Sequence, residues 1–223
     1  MNAASPAWGC MSDPAFSRNR KEKLAGVLAC AVFAVLVQFS SVGARIDFTL
    51  LDTTTNLLRR HFPVALEKDV VVVGIDEASV ARNPEPMTLW HRHLGDFLRA
   101  TAVGKATAVG LDIVLPDRSY NGVLAGSDEA LMLGILATKK EIPLVLARTV
   151  EASGKQRQLF RKFELVVGAE GTGLALFPRD ADHVVRRFDE RIGENASHVP
   201  TLVGQLGRHL GKDPHPGMID FSR

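Results

Sequence analysis

AVGLDIVL-PDRSYNGVLAG-SDEALMLGILATKK-EI-PLVLA, residues 108 to 147, is the stretch whose reading decides the fold. Its two ends, 108–115 and 143–147, are short apolar runs with no alternation of polar residues. Such runs suit strands buried on both faces, as in a parallel sheet. Between them, Asp128 and Glu129 open a helical stretch and Lys139 and Lys140 close it, so the charges complement the helix dipole. Ser127 is the residue type expected to cap that helix. Strand, helix and strand in this order predict a right-handed crossover in a parallel sheet with helices packed outside.

Working outward, Asp69-Val70-Val71-Val72-Val73-Gly74-Ile75 is a β-branched run that reads as an earlier buried strand. After the loop at Asn83-Pro84-Glu85-Pro86, the residues Leu94, Phe97, Leu98 and Thr101 recur at helical spacing and form one apolar stripe. Beyond the 108–147 stretch, Ser153-Gly154-Lys155 reads as a hairpin turn, and 168–177 and 184–188 as further strands. Asp180-Ala181-Asp182 with Arg186-Arg187 reads as a turn followed by an exposed edge. Residues 200–210 read as a helix opened by proline, and 218–221 as the start of a strand. The fold class expected is α/β, an N-terminal transmembrane helix followed by a largely parallel sheet flanked by helices.

The N-terminal part has a different character. Residues 24–44 read LAGVLACAVFAVLVQFSSVGA, 21 residues without a charge. At ~1.5 Å per residue this run spans the ~30 Å hydrocarbon core of a bilayer. Its ten Leu, Val and Phe residues favour insertion by a sum on the order of −4 kcal/mol, reduced by Gln38, Ser40, Ser41 and the glycines. Arg18, Arg20, Lys21 and Lys23 precede it and assign residues 1–23 to the cytoplasm and the remainder to the far side. The alternative is a cleaved signal peptide, since Val42-Gly43-Ala44 resembles a cleavage site, although the run exceeds the usual apolar length of a signal. The amphipathic segment 46–61 reads as a helical stalk.

Charge narrows the function. Residues 1–44 hold four basic and two acidic side chains; removing these from the chain totals of 27 and 25 leaves 23 of each in 45–223. A nucleic-acid binder carries a basic excess on its folded part, so that class is disfavoured. The two cysteines, Cys10 and Cys30, both precede residue 45, which leaves the exported part without a disulfide frame.

In order along the chain, several segments resemble the type-two CHASE family, the cyclase- and histidine-kinase-associated sensory extracellular domains of bacterial receptors. Asp69–Val80 (DVVVVGIDEASV) is similar to the first strand and turn of the family. Leu89-Trp90-His91-Arg92 is similar to its tryptophan–arginine motif, with Leu89 at the usual proline. Val109–Pro116 (VGLDIVLP) is similar to its second strand, with Asp112 at the family's aspartate. Gly173–Arg187 (GLALFPRDADHVVRR) is similar to a turn in which His183 replaces a glycine, and His198–Gly207 (HVPTLVGQLG) to the helix that follows. The resemblance implies a sensory domain over 45–223, anchored by 24–44 in a bacterial inner membrane with the N-terminus in the cytoplasm. Family members continue with further strands, membrane spans and an output module, so the domain is expected to be C-terminally incomplete here.

Candidate ligand-binding residues are Asp76, Glu77, Trp90, Arg92 and Asp112. Asp76 and Glu77 follow the first expected strand, Asp112 with Asp117 sits at or beyond the carboxyl end of the second, and ligands of open parallel sheets bind at the carboxyl ends of strands. Carboxylates there hold a cation or a cationic group, or else cap helices and bind turn amides. Trp90 and Arg92 stack on or clamp an anion, or else Trp90 packs in the core. His91 and His93, two apart on a helix, face different directions and make a poor metal pair. Gly171-Thr172-Gly173 lacks the third glycine of a dinucleotide fingerprint, because position 176 is leucine. No phosphate loop, nucleophile elbow, catalytic residue, metal set or cofactor is expected. The leading reading is a sensory input domain without its output module, which for the parent receptor would be a cyclase or kinase. Its expected partners are the membrane, a small-molecule or protein stimulus, and a second copy or a receptor subunit. The other readings are a periplasmic metal-dependent enzyme using Asp76, Glu77 and Asp112, and an assembly domain that meets partner subunits.

Overall fold

The computed structural model of the chain describes residues 14–63, 69–151, 153–193 and 198–219. These fall into two compact units, one holding the two N-terminal helices and the other everything from Asp69 onward.

In the first unit, α1 (Pro14–Gln38) and α2 (Ser41–His61) are separate helices that meet at a 76° bend. Residues 24–44 are therefore not one helix. Ser40 supplies the reason. Its backbone is extended, its Oγ accepts a hydrogen bond from Gly43 N at 3.1 Å, and its hydroxyl donates to Val37 O at 2.7 Å. The serine thus ends one helix and caps the next. Gly43 permits the tight corner, since a Cβ there would collide with the Val37 carbonyl. Among the described residues no single helix is long and apolar enough to cross a membrane; the bent pair passes together by length and composition. The expected stalk, 46–61, lies within α2.

The second unit is built on a three-stranded parallel sheet, β1 (Val109–Leu111), β2 (Leu144–Arg148) and β3 (Thr172–Leu174), in the order β1-β2-β3. The crossovers run through α5 (Ser127–Glu141) and α6 (Arg161–Val167), and both helices pack on the same face. That is what two right-handed connections require when the strands advance one step at a time in one direction. α4 (His91–Val103) lies against α5. The two helices approach through Gly95 and Gly134, where a Cβ on either would strike the backbone of the other helix. The main core fills this face, with Leu98, Leu131, Ile135, Leu146 and Phe163 fully buried. Burying each contributes roughly 1.5–3 kcal/mol. The other face is thinner: α7 (Leu202–His209) covers Val145 and Ala147 with Leu202 and Leu206.

Three short antiparallel features complete the unit. β4 (Arg187–Phe188) pairs with β7 (Gly217–Met218), and β5 (Arg191–Ile192) pairs with β6 (Val199–Pro200). A hairpin turns at 151–155, where Gly154 has φ 80° and Glu151 N donates to Lys155 O at 2.8 Å.

Several expectations change. The run 69–75 is not a strand: among the described residues it pairs with nothing, and Val70, Val71, Val72 and Val73 are 66–88% exposed. An unbroken apolar run specifies two buried faces but not a partner edge, and pairing is decided elsewhere in the chain. β1 is three residues long rather than the eight of 108–115. β3 and β4 are likewise shorter than 168–177 and 184–188. Ser127 does not cap α5; Gly126 holds that position in a left-handed conformation, and the serine hydroxyl turns inward. α7 is opened by Thr201, whose Oγ1 accepts from Gly204 N at 3.1 Å, while Pro200 lies in β6. Arg186 is no exposed edge: it is 4% exposed and pairs with Asp180 at 3.3 Å and Asp182 at 2.8 Å. That pairing holds the Asp182 carboxyl below its ordinary range. His183, at the position where the resemblance puts a glycine, has φ 66°. The residues 220–221 of the expected last strand lie outside the described residues.

Candidate functional site

A pocket of about 180 Å³ opens just beyond the carboxyl end of β1. The chain leaves the sheet after Leu111, and Ile113, Val114, Leu115 and Pro116 form one wall. The turn before α4 and its first residue, His91, contribute the opposite side, and Tyr120 and Arg157 complete the lining. The first turn of α5 holds this arrangement. Asp128, 2% exposed, accepts from the Tyr120 amide at 3.1 Å and from the Ser119 hydroxyl, and its own amide donates to Asn121 Oδ1 at 2.9 Å. Asn121 in turn donates to Glu129 at 2.8–2.9 Å. The buried acid thus pins the 119–121 loop and places Tyr120.

His91 is the buried polar centre of this region. It is 2% exposed, and its ring lies 5.7 Å from Tyr120 and 6.1 Å from Phe163. Nδ1 is 3.0 Å from Ser127 Oγ, while Nε2 is buried without a hydrogen-bond partner. Burial pushes the imidazole below its ordinary pKa, and the Asp128 carboxylate opposes that push in part. The ring is therefore neutral near pH 7. Serine, histidine and aspartate sit close together here, but Ser127 is 3% exposed and Asp128 is engaged by the loop. A hydroxyl enclosed in this way meets no substrate, so the trio does not make a nucleophile site.

The five residues singled out in the sequence lie elsewhere, and none lines this pocket. Asp76 caps α3 (Glu77–Arg82): its carboxylate accepts from Ser79 N at 2.8 Å and from the Ser79 hydroxyl at 2.7 Å. Those two bonds hold its carboxyl below the usual range. Glu77, in the first turn of α3, is exposed. Trp90 is core, 4% exposed, and its indole N–H donates to Glu85 O at 2.9 Å. Arg92 and Asp112 are exposed. Among the described residues no three His, Cys, Asp or Glu side chains gather in a way that could hold a metal ion.

The residues that do converge, His91, Tyr120, Ser127 and Arg157, were not selected by motif. One signal was present. His91 stands three and seven residues before Leu94 and Leu98, on the same helical stripe, which places its ring on the buried face. Tyr120 and Arg157 come from loops that only the folded chain brings to β1.

The pocket lies at the carboxyl end of a strand, the place where open α/β sheets bind ligands. The CHASE2 domain family matches residues 27–216, and the chain belongs to that family. CHASE2 is a family of sensory extracellular domains of signalling proteins. The match begins inside α1 and takes in α2 together with nearly all of the second unit. No curated protein and no solved structure is significantly similar to the chain.

Proposed function

We propose that the chain is the extracytoplasmic input part of a bacterial membrane receptor, with the α1–α2 region as its anchor and the second unit as the stimulus-binding domain. Membership of the CHASE2 family is the observation that carries this reading. The anchor has its own support. Leu24, Val27, Leu28, Phe33 and Leu36 are 66–73% exposed on α1, an apolar helix surface that a bilayer would cover. The basic residues Arg18, Arg20, Lys21 and Lys23 favour a cytoplasmic N-terminus. The reading assigns detection of a stimulus, and no catalytic step, to residues 45–223. A second copy or another receptor subunit is the partner through which such a domain would pass its state on.

Alkaline phosphatase is active only after export. Fused after Arg223 in a bacterial host, it should be active, and membrane fractionation should retain the fusion. An inactive enzyme would reverse the topology, and a mature N-terminus near Arg45 would replace the anchor by a cleaved leader.

A further inference from the structure

The junction around His91 holds a titratable group that the fold keeps uncharged. It carries an inference about the stimulus, which rests on the sensory reading and deepens it. His91 is the first residue of α4, and its Nδ1 lies 3.0 Å from the Oγ of Ser127, the first residue of α5. The ring thus stands at the positive ends of two helix dipoles, and both oppose a cation. It is 2% exposed, with the rings of Tyr120 and Phe163 packed beside it.

Counting polar protons shows what a charge would do there. With a neutral ring the His91–Ser127 pair has two such protons and makes one hydrogen bond. Whichever way that bond points, one buried donor is left over. A protonated ring must donate from Nδ1, so two are left over: the Ser127 hydroxyl and Nε2–H, which is buried and has no partner among the described residues. Protonation therefore adds both an unsatisfied donor and a buried charge, and each is costly.

The surrounding charges offer little compensation. Asp128 of α5 acts on the ring, but its carboxylate already accepts from the Tyr120 amide and the Ser119 hydroxyl. Pairing with an imidazolium would draw on the bonds that pin the 119–121 loop. Phe163 of α6 brings an apolar ring, and Arg157, exposed at the adjoining pocket, brings a second positive charge. On α4 itself His93 is bonded to Glu85 at 2.5 Å, on the exposed side of the turn. Burial lowers the His91 pKa and Asp128 opposes that in part. A histidine lowered on folding contributes stability that is complete above its unfolded value of 6.5 and is lost as pH falls through the folded one.

We propose that His91 makes the second unit responsive to acidification: a proton on its ring breaks the junction of α4, α5 and the 119–121 loop and releases the first turn of α4. The stimulus is then the acidity of the medium that an extracytoplasmic domain meets, and the bistable element is that turn together with the loop.

The test records ¹H–¹³C and ¹H–¹⁵N spectra of the full chain in detergent micelles from pH 8 downward. His91 Cε1–H, recognised by its contacts with the Tyr120 and Phe163 rings, should titrate with a midpoint below 6.5. The amides of Leu94, which closes the first turn of α4 on Trp90 O, and of Tyr120 should change with the same midpoint, while that of Leu146 in β2 stays in place. His93→Gln should keep this transition. His91→Asn, which retains a short polar group toward Ser127 and cannot titrate, should lose it. A His91 midpoint at or above 6.5, Leu94 and Tyr120 amides that do not follow it, or loss of the Leu146 signal along with them would each overturn the proposal. So would a transition that survives in H91N or disappears in H93Q. If H91N does not fold, the midpoints in the unaltered chain and in H93Q still decide. None of these results bears on the receptor reading, which stands or falls with the phosphatase fusion.

Discussion

Two short, largely apolar runs in the second unit have opposite fates. Val70, Val71, Val72, Val73, Gly74 and Ile75 are exposed and, among the described residues, pair with no strand. Leu144–Arg148 pairs on both sides, with Val109–Leu111 at one edge and Thr172–Leu174 at the other. Its first four side chains are at most 3% exposed. By β-propensity alone the first run is the better strand, since four of its six residues are valine. Position makes the difference. The second run has an amphipathic helix on each side of it in sequence, and each crossover returns the chain one strand width away. The first is preceded by residues 64–68, which lie outside the described residues, and followed by α3, a helix of six residues with no buried side chain. A run with no covering helix has nothing to bury it.

The largest effect expected separates the two runs by the same substitution. Leu146→Asp places an unpaired carboxylate at a site with 0% exposure and should cost more than about 4 kcal/mol, enough to abolish a cooperative urea transition. Val72→Asp, at 88% exposure, should stay within about 0.5 kcal/mol. A loss above about 2 kcal/mol for V72D would mean that this run is buried in a sheet, and the comparison would break.

This contrast also bounds what the sequence makes legible. The strand–helix–strand order of the 108–147 stretch reads correctly, though its first strand is shorter than expected and Ser127 is not the cap, because its signals are local: proline or charge at the boundaries, a dipole-matched helix, and apolar runs of strand length. The parallel pairing of Val109–Leu111 with Leu144–Arg148 follows from it. What fails is what depends on distant chain. No local pattern distinguishes a paired valine run from an unpaired one. The corner at 39–40 was within reach, because Ser40 and Gly43 are cap and corner residues, but an apolar run reads as one helix when only its hydropathy is summed. The pocket was the least legible part. Asp76 and Asp112 follow strand-like runs and invited a crevice reading, whereas the lining comes from a turn, a helix start and two loops with no shared motif. His183 reports the opposite case: a family glycine predicts a left-handed residue, and φ 66° is found there.

Glycine gives a milder comparison. At Gly173, in β3, a Cβ would stand 2.6 Å from Leu202 N and 2.7 Å from both Leu202 Cα and the Thr201 carbonyl carbon. All three are backbone atoms and cannot rotate aside, so Gly173→Ala should cost about 1–3 kcal/mol. At Gly74 a Cβ meets nothing within 4 Å, and its φ is not positive. Gly74→Ala should then raise stability by about 0.4–1 kcal/mol, through the smaller entropy of the unfolded chain. Urea midpoints of the two variants should move in opposite directions. A fall for G74A would place another element against the 70–75 run and narrow the difference between the two regions.

The smallest effect concerns the caps that follow the two regions. Asp76 ends the exposed run and caps α3 with a carboxylate; Thr201 follows β6 and caps α7 with a hydroxyl. Only the first can titrate. The hydrogen bonds from Ser79 hold the folded Asp76 carboxyl below its ordinary value of 3.8. A carboxyl depressed on folding contributes stability that is complete above the unfolded value and is lost as pH falls through the folded one. The α3 cap should therefore persist at neutral pH and weaken below about pH 3.8, while the α7 cap stays in place for as long as the unit remains folded. Amide ¹H–¹⁵N spectra recorded from pH 6 downward distinguish the two, since Ser79 N and Gly204 N are the amides that the caps hold. The Ser79 resonance should shift upfield with an apparent midpoint below that of a free aspartate, and the Gly204 resonance should not follow it. Asp76→Asn keeps an acceptor and removes the titration, so in that variant both resonances should be flat. A Ser79 signal that still titrates in D76N would assign the effect to Glu77 or to the run itself, and α3 would have to be treated as part of a larger element than its six residues.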